Sequence, residues 1–253
     1  MNPAEFANIA AAERDLWWYR GMRDILFRLL DPIARARQFG RVLEAGCGTG
    51  FLSRLLTGRY AWNIVPLDAD PDGLQYARDA GTRWLVQGNI AALPFESASF
   101  DALLSIDVIP HLERGAEHVV FAEFARVLTP GGMLVIRAAA LELLRSRHSE
   151  FVHETQRFTR SHLVDALELA GFRVDRSTYA NSFLFPVALF KFRVWEPLTH
   201  TRPQSGVQAV PKWLDRLLYL PLRMEAGWIG AGGSLPIGQS VVLIAYKNQE
   251  TRY

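Results

Sequence analysis

The chain has 253 residues and 49% hydrophobic content, enough apolar material for one sizeable core. Its 28 basic and 26 acidic side chains leave a formal net charge of +2, which gives no reason to expect a nucleic-acid partner. A single cysteine, Cys47, excludes an intrachain disulfide and a cysteine-rich zinc site.

From Ala4 to Pro32 the pattern is helical. Leu16, Trp17, Tyr19, Ile25, Leu26, Leu29 and Leu30 recur at helix-like spacing, and Pro32 is expected to end the segment. Glu5, Glu13, Arg14 and Asp15 interrupt any apolar run near the start, so a secretory signal is not expected. The longest strongly apolar run, 183–190, contains Pro186 and is far shorter than a membrane span. A soluble, cytoplasmic protein without an integral membrane segment is the expectation. Trp17-Trp18-Tyr19, followed by Arg20 and Arg23, can do one of two things. It can pack an aromatic face onto a sheet, or it can form a lid in which Trp18 or Tyr19 meets a cation and Arg23 a carboxylate.

Arg41 to Leu52 reads RVLEAGCGTGFL. Val42 and Leu43 have the look of a buried strand end, Gly46, Gly48 and Gly50 alternate, and a helical pattern begins at Phe51. Strand, glycine turn and helix form a cradle in which a ligand can approach backbone N–H groups at a helix start. Glu44 stands at the strand end. Asp68 ends the next expected strand, Asn63 to Leu67, where an acid is placed to hold ribose hydroxyls. Cys47, inside the turn, reads as a small apolar filler.

EAGCGTG resembles motif I of the class I S-adenosylmethionine (SAM)-dependent methyltransferases, (D/E)-x-G-x-G-x-G. A dinucleotide fingerprint would need glycine where Phe51 stands. The resemblance implies a Rossmann-like sheet of seven strands with helices on both faces and the last strand antiparallel. It implies SAM as cofactor, held by Glu44, Gly46, Cys47, Gly48, Gly50, Asp68 and Ala69. LWWYRGMRDIL is similar to the opening of one bacterial branch of that family, which favours the lid reading for Trp18, Tyr19 and Arg23.

Further along, Pro71 opens a helix to Ala80, and Trp84 to Val86 reads as a short strand. GNIAALPF is similar to the family's GDAEALPF. Asn89 stands where the family's aspartate accepts from the adenine amino group, an amide oxygen can accept the same bond, and Ile90 would lie against the ring. SFDA leads into a strand, Leu103 to Ile106. DVIPHL then resembles the family's DVLEH, keeping Asp107 as a cofactor residue and His111 as the candidate base, with Pro110 in place of an acid. The other reading of His111 is a loop histidine that caps the next helix. Glu113 to Leu128 is helical and stops at TPGG, and ARVLTPGGMLVI is close to the family's RVLxPGGxLV.

Between Ala138 and Arg160, His148 and His153 with Glu150 and Glu154 invite a metal reading. Five helical residues rotate about 140° beyond a full turn, so the two histidines would not share a face. No metal is expected, and His148 and His153 are assigned to a polar loop bordering the acceptor. Thr159 caps a helix from Arg160, Phe172 to Tyr179 is strand six, and Gln239 to Tyr246 is strand seven.

The insertion between strands six and seven, residues 181–233, holds an apolar aromatic stretch, a polar loop expected to be mobile, and a helix from Lys212. Its aromatic content points to an acceptor pocket lined by residues such as Phe185 and Trp228, or to a homodimer interface. The chain thus reads as one domain, 1–253, with a lid over 1–35. The expected reaction is methylation of an oxygen or nitrogen of a partly apolar small molecule. A lipid-linked acceptor at a membrane surface and a non-catalytic partner subunit stay open beside it.

Overall fold

The computed structural model describes residues 2–200, 202–208 and 210–249. Seven strands form one sheet: β1 (Arg41–Ala45), β2 (Asn63–Asp68), β3 (Val86–Gln87), β4 (Phe100–Ile106), β5 (Leu128–Ala139), β6 (Phe172–Ala180) and β7 (Ser240–Lys247). Their order is β3-β2-β1-β4-β5-β7-β6, and β7 runs antiparallel to both of its neighbours. Val42, Leu43 and Ala45 of β1 and Leu103 and Leu104 of β4 are fully buried. Such strands are apolar on both faces because helices cover both, as parallel crossovers require. The strand order reverses between β1 and β4, so a crevice opens past their carboxyl ends.

One face carries α5 (Glu117–Val127) and α7 (Arg160–Leu169), whose Phe121, Phe124, Leu163 and Leu167 pack onto Leu103, Leu134 and Leu243. The other carries α2 (Trp17–Ala36), α3 (Phe51–Tyr60) and α10 (Lys212–Gly230), which bury Met22, Ile25, Leu30, Leu56, Leu222 and Ile229 against Val42, Val135 and Ile244. At about 25 cal/mol per Å², side chains of this size contribute roughly 1.5–3 kcal/mol each when buried. Two such layers are what hold the sheet.

The N-terminal segment divides into α1 (Ala4–Ala12) and α2, and Pro32 does not end it. A proline so near a helix end forfeits one backbone bond, and the packing of Leu29, Leu30 and Ile33 outweighs that loss. The strand expected from Trp84 shrinks to Val86–Gln87. Trp84 sits at φ 60° and is exposed, so its aromatic character made it look like a strand residue that it is not.

The insertion folds as α8 (Phe185–Phe190), a wide π-type turn (Lys191–Trp195), α9 (Glu196–Leu198) and α10. Helix α10 lies along α2. Asp215 accepts from the Trp17 backbone N–H at 2.8 Å and pairs with Arg20 at 2.6 Å, so a carboxylate from α10 serves the exposed amides at the start of α2. Tyr219 donates to Asp24 at 2.5 Å. No helix among the described residues is long and apolar enough to cross a membrane.

Gly21 marks a close approach of the two helices, since a Cβ there would lie 2.4 Å from the Leu222 side chain. Gly21→Ala is expected to destabilise the fold by about 1–3 kcal/mol through overpacking. In urea unfolding, adding Leu222→Ala removes the part of the clash beyond Cβ and should recover part of that loss, and strictly additive costs would show that the Leu222 side chain beyond Cβ carries none of it.

Candidate functional site

A cleft of about 1220 Å³ opens where the strand order reverses. This exceeds the roughly 300–1,000 Å³ that one drug-sized ligand occupies, so two reactants fit side by side.

Its floor is the turn after β1. Gly46 (φ 92°), Gly48 (φ 51°) and Gly50 (φ 67°) all adopt left-handed backbone, which explains the alternation. At Gly46 a Cβ would also meet Val108 at 2.2 Å, whereas at Gly48 the nearest atom is a Phe6 ring carbon at 3.9 Å. The turn hangs from β2. The Gly46 and Cys47 amides both donate to the Leu67 carbonyl, at 2.7 and 2.9 Å, and the Gly48 amide donates to Asp68 Oδ2 at 2.7 Å. Asp68 Oδ1 accepts from the Asp70 amide at 2.9 Å. Each Asp68 oxygen keeps acceptor capacity for a ligand hydroxyl, and burial raises its pKa. Ala69 lines the cleft beside it.

Two further acids sit behind the turn. Glu44 is buried and accepts from the Ser53 hydroxyl, and burial pushes its carboxyl up to about 8. Glu13, from the link between α1 and α2, accepts from Thr49 at 2.5 Å, and burial raises it too. Burial pushes the Cys47 thiol up as well, so it acts as an apolar filler of the turn rather than as a nucleophile.

Asn89 and Ile90 reach the same cleft, Ile90 buried and Asn89 exposed. The Asn89 side-chain oxygen already accepts from the Ala91 amide at 2.9 Å. It can receive a second bond only at its other lone pair.

Beyond β4, Asp107 adopts φ 61° and is gripped by Arg137, a residue that sequence reasoning missed. Arg137 Nε lies 3.1 Å from both Asp107 oxygens and Arg137 Nη2 lies 2.5 Å from one. The same guanidinium lies over the Trp18 ring at 5.3 Å, and Tyr19 meets Trp18 edge to face. The aromatic pair at the start of α2 therefore lines the cleft while the rest of α2 packs on the sheet. Arg23 also lines it, but its guanidinium donates to the carbonyls of Glu13 and Arg14, at 3.2 and 3.3 Å. The signal for Arg137 was present in the sequence: it is the one charged residue in the run MLVIRAAA.

His111 ends a single 3₁₀ turn (Ile109–His111) and lines the cleft. Its Nδ1 faces the His153 carbonyl oxygen at 3.5 Å. A carbonyl only accepts, so the tautomer that would make this bond carries its proton on Nδ1 and leaves the lone pair on Nε2. Burial lowers the His111 pKa, which keeps the ring neutral near pH 7. His148 lines the cleft too. Its Nδ1 accepts from the Gly206 amide at 2.8 Å, and burial lowers its pKa.

Three expected substrate residues are placed otherwise. His153 is exposed at φ 57° and turns only its carbonyl toward His111. Phe185 and Trp228 do not line the cleft, and the Trp228 indole donates to the Ser234 carbonyl at 3.3 Å. The insertion contributes instead Leu184, Val187, Ala188, Lys191, Phe192, Trp195, Glu196 and Leu218, with residues 204–207 of its polar loop. Two described residues of the polar loop have partners on the rest of the fold: Ser205 donates to Glu5 at 2.9 Å, beside the Gly206–His148 bond. The described residues contain no group of three metal-ligating side chains.

Residues 43–136 match the family model described as a methyltransferase domain. A Mycolicibacterium smegmatis protein named "Probable S-adenosylmethionine-dependent methyltransferase" is 30% identical over 65% of this chain and 62% of its own length. The chain thus spans less than two thirds of that relative. The malonyl-(acyl-carrier protein) O-methyltransferase of Enterobacter lignolyticus is 29% identical over 94% of this chain and 95% of its own. Among solved structures, the Haemonchus contortus phosphoethanolamine N-methyltransferase 2 superposes with a TM-score of 0.61 at 16% identity, over 98% of this chain and 59% of that one. That similarity shows the fold.

The raised Glu44 pKa has a consequence for stability. A folded-state value of about 8, above the ordinary 4.5, means that its contribution is full below pH 4.5 and is lost as pH climbs through 8. Thermal melts of the ligand-free protein should therefore decline between about pH 5 and 8, and Glu44→Gln should flatten that decline. Parallel curves for the two proteins would show that Glu44 is ionised in the fold.

Proposed function

We propose that the chain, whose residues 43–136 match a methyltransferase-domain model and whose seven-stranded sheet has a Rossmann-like order, binds SAM and methylates an oxygen or nitrogen of a partly apolar small molecule. The observation that carries this reading is a juxtaposition. One cleft holds the left-handed glycine turn, the acid that ends β2, an aromatic pair, and a histidine whose Nε2 carries the lone pair in the tautomer bonded to the His153 carbonyl.

The residues present fit the cofactor. Gly48 offers bare backbone toward the cleft, and Asp68 keeps acceptor capacity on both oxygens. The rings of Trp18 and Tyr19 suit a cation, and Glu44 and Glu13, which burial holds toward the protonated form, can ionise beneath the turn when a cation binds. Ile90 supplies an apolar surface for a base, and Asn89 an amide at its edge. Bound there, SAM supplies a methyl group on a positively charged sulfur, ready for displacement.

The chain's own contribution is chiefly to hold the acceptor in line, where effective molarity outweighs acid–base chemistry. Leu184, Val187, Ala188 and Phe192 give the acceptor half an apolar wall. His111 Nε2 takes the acceptor's proton, and the His153 carbonyl holds the ring in the required tautomer. Arg137 does not act as a base, since it is committed to Asp107, and the pair fixes the left-handed bend after β4. The relatives' names cover both oxygen and nitrogen acceptors, which supports leaving the acceptor atom as either.

Asp68→Ala is expected to weaken SAM binding by about 10- to 100-fold in calorimetry, the worth of one charged hydrogen bond. Unchanged affinity in a folded variant would remove the cofactor reading. His111→Ala should lower kcat by about 10²–10⁴ and leave SAM affinity intact. Wild-type activity should fall only below the ordinary imidazole value of 6.5, because burial lowers the His111 pKa. Activity within a few-fold of wild type in the variant would exclude His111 as base. Acceptors can be identified by incubating the protein with methyl-labelled SAM and a native small-molecule extract, followed by mass spectrometry.

A further inference from the structure

Helix α10 has two apolar faces, and only one of them is used. Leu222, Ala226 and Ile229 are buried against α2 and the sheet. Trp213, Leu217, Leu220, Met224 and Trp228 are all exposed, from 52% (Leu220) to 68% (Trp213). Their spacing of four, three, four and four residues places them in one stripe along the helix. Isolated exposed apolar residues are ordinary, but a continuous stripe two of whose five members are tryptophan calls for a partner.

The charges around the stripe say which partner. Lys212, Arg216 and Arg223 flank it, all are exposed, and none pairs with an acid among the described residues. The three acids from 183 to 230 are already engaged or enclosed. Asp215 pairs with Arg20, Glu196 is buried and accepts from the Arg147 amide, and Glu225 is fully buried. The outer surface of the insertion is thus apolar and cationic, with no free anion. The preceding segment shows the same composition: Phe183, Val187, Phe190, Trp195 and Leu198 are exposed beside Lys191. Val187, Lys191 and Trp195 also line the cleft, as Leu218 of α10 does, so this surface runs up to the cleft's mouth.

We propose that the outer face of α10 docks this protein onto an anionic lipid bilayer, lying in the interface with its stripe among the acyl chains and its basic side chains at the headgroups. Tryptophan suits that boundary, and Lys and Arg reach from an apolar face to anionic headgroups. The surface is independent of the cleft's chemistry and can be tested without an acceptor. A second copy of the chain would also cover apolar area. However, pairing this face with its own image would bring Arg216 and Arg223 against like charges with no acid on the face to answer them.

The test is flotation of the full chain with vesicles of phosphatidylcholine alone and with about 30% phosphatidylserine. The protein should float with the anionic vesicles and stay down with the neutral ones. Salt at about 0.5 M should release a large part of it, since screening at that ionic strength acts within a few ångströms. Arg216→Glu with Arg223→Glu should reduce partitioning by at least fivefold for each charge lost. Leu217→Ser, Met224→Ser and Trp228→Ser together should reduce it by tenfold or more. All five side chains are exposed, so melting curves should hold, and the charge pair tests the idea even if the apolar triple does not fold. No flotation with anionic vesicles, or flotation that neither variant changes, would overturn the proposal. So would sedimentation showing a dimer that the charge pair or the triple separates, which would give the face to a second copy.

Discussion

The site depends on a short set of bonds between the ends of β1 and β2. Three consecutive amides, of Gly46, Cys47 and Gly48, find acceptors on β2 residues: two at the Leu67 carbonyl and one at the Asp68 carboxylate. A turn with three left-handed residues has no regular ladder to satisfy its amides, so acceptors must come from a neighbouring strand. The acid that the proposed cofactor would use is the same acid that steadies the turn. Its removal therefore costs order in the unliganded turn as well as a ligand contact.

Charge is distributed unevenly around the cleft. Glu44, Glu13 and Asp68 cluster at the turn, each raised by burial, and their hydrogen bonds come from hydroxyls and amides rather than from arginine or lysine. Across the crevice Asp107 is matched by Arg137. A buried carboxylate without a cation is costly, and it becomes less so when a positively charged ligand arrives. The turn side therefore favours a cationic ligand, and the β4 side is already neutralised. A sulfonium compound seated on the turn agrees with that asymmetry.

Much of this could be read from the sequence because it is local. The glycine alternation, the acid at the end of β2 and the strand-helix rhythm each lie within a few residues, and all stand where they were expected. What escaped was directional. Arg137 meets Asp107 from a neighbouring strand, and only its oddity in an apolar run hinted at a role. Phe185 and Trp228 were chosen on composition, which does not say toward which side of a helix a ring points. The wide turn at Lys191–Trp195 further changes the phase between α8 and α9. His153 was named for its imidazole, and the structure uses its carbonyl.

The two halves of the insertion differ in what it would take to move them. Helix α10 is held by buried Leu222, Ala226 and Ile229, by the Asp215–Arg20 pair and by the Tyr219–Asp24 bond, so displacing it would open the second core. The loop near residue 205 is held by Glu5 through Ser205 and by His148 through Gly206, and each such bond contributes only about 0.5–1.5 kcal/mol net. Glu5 itself is buried and bonded to Asn8, so α1 and this loop share one polar clasp over the cleft. The clasp is therefore the more easily parted of the two, and parting it would leave α10 in place with its outer face exposed.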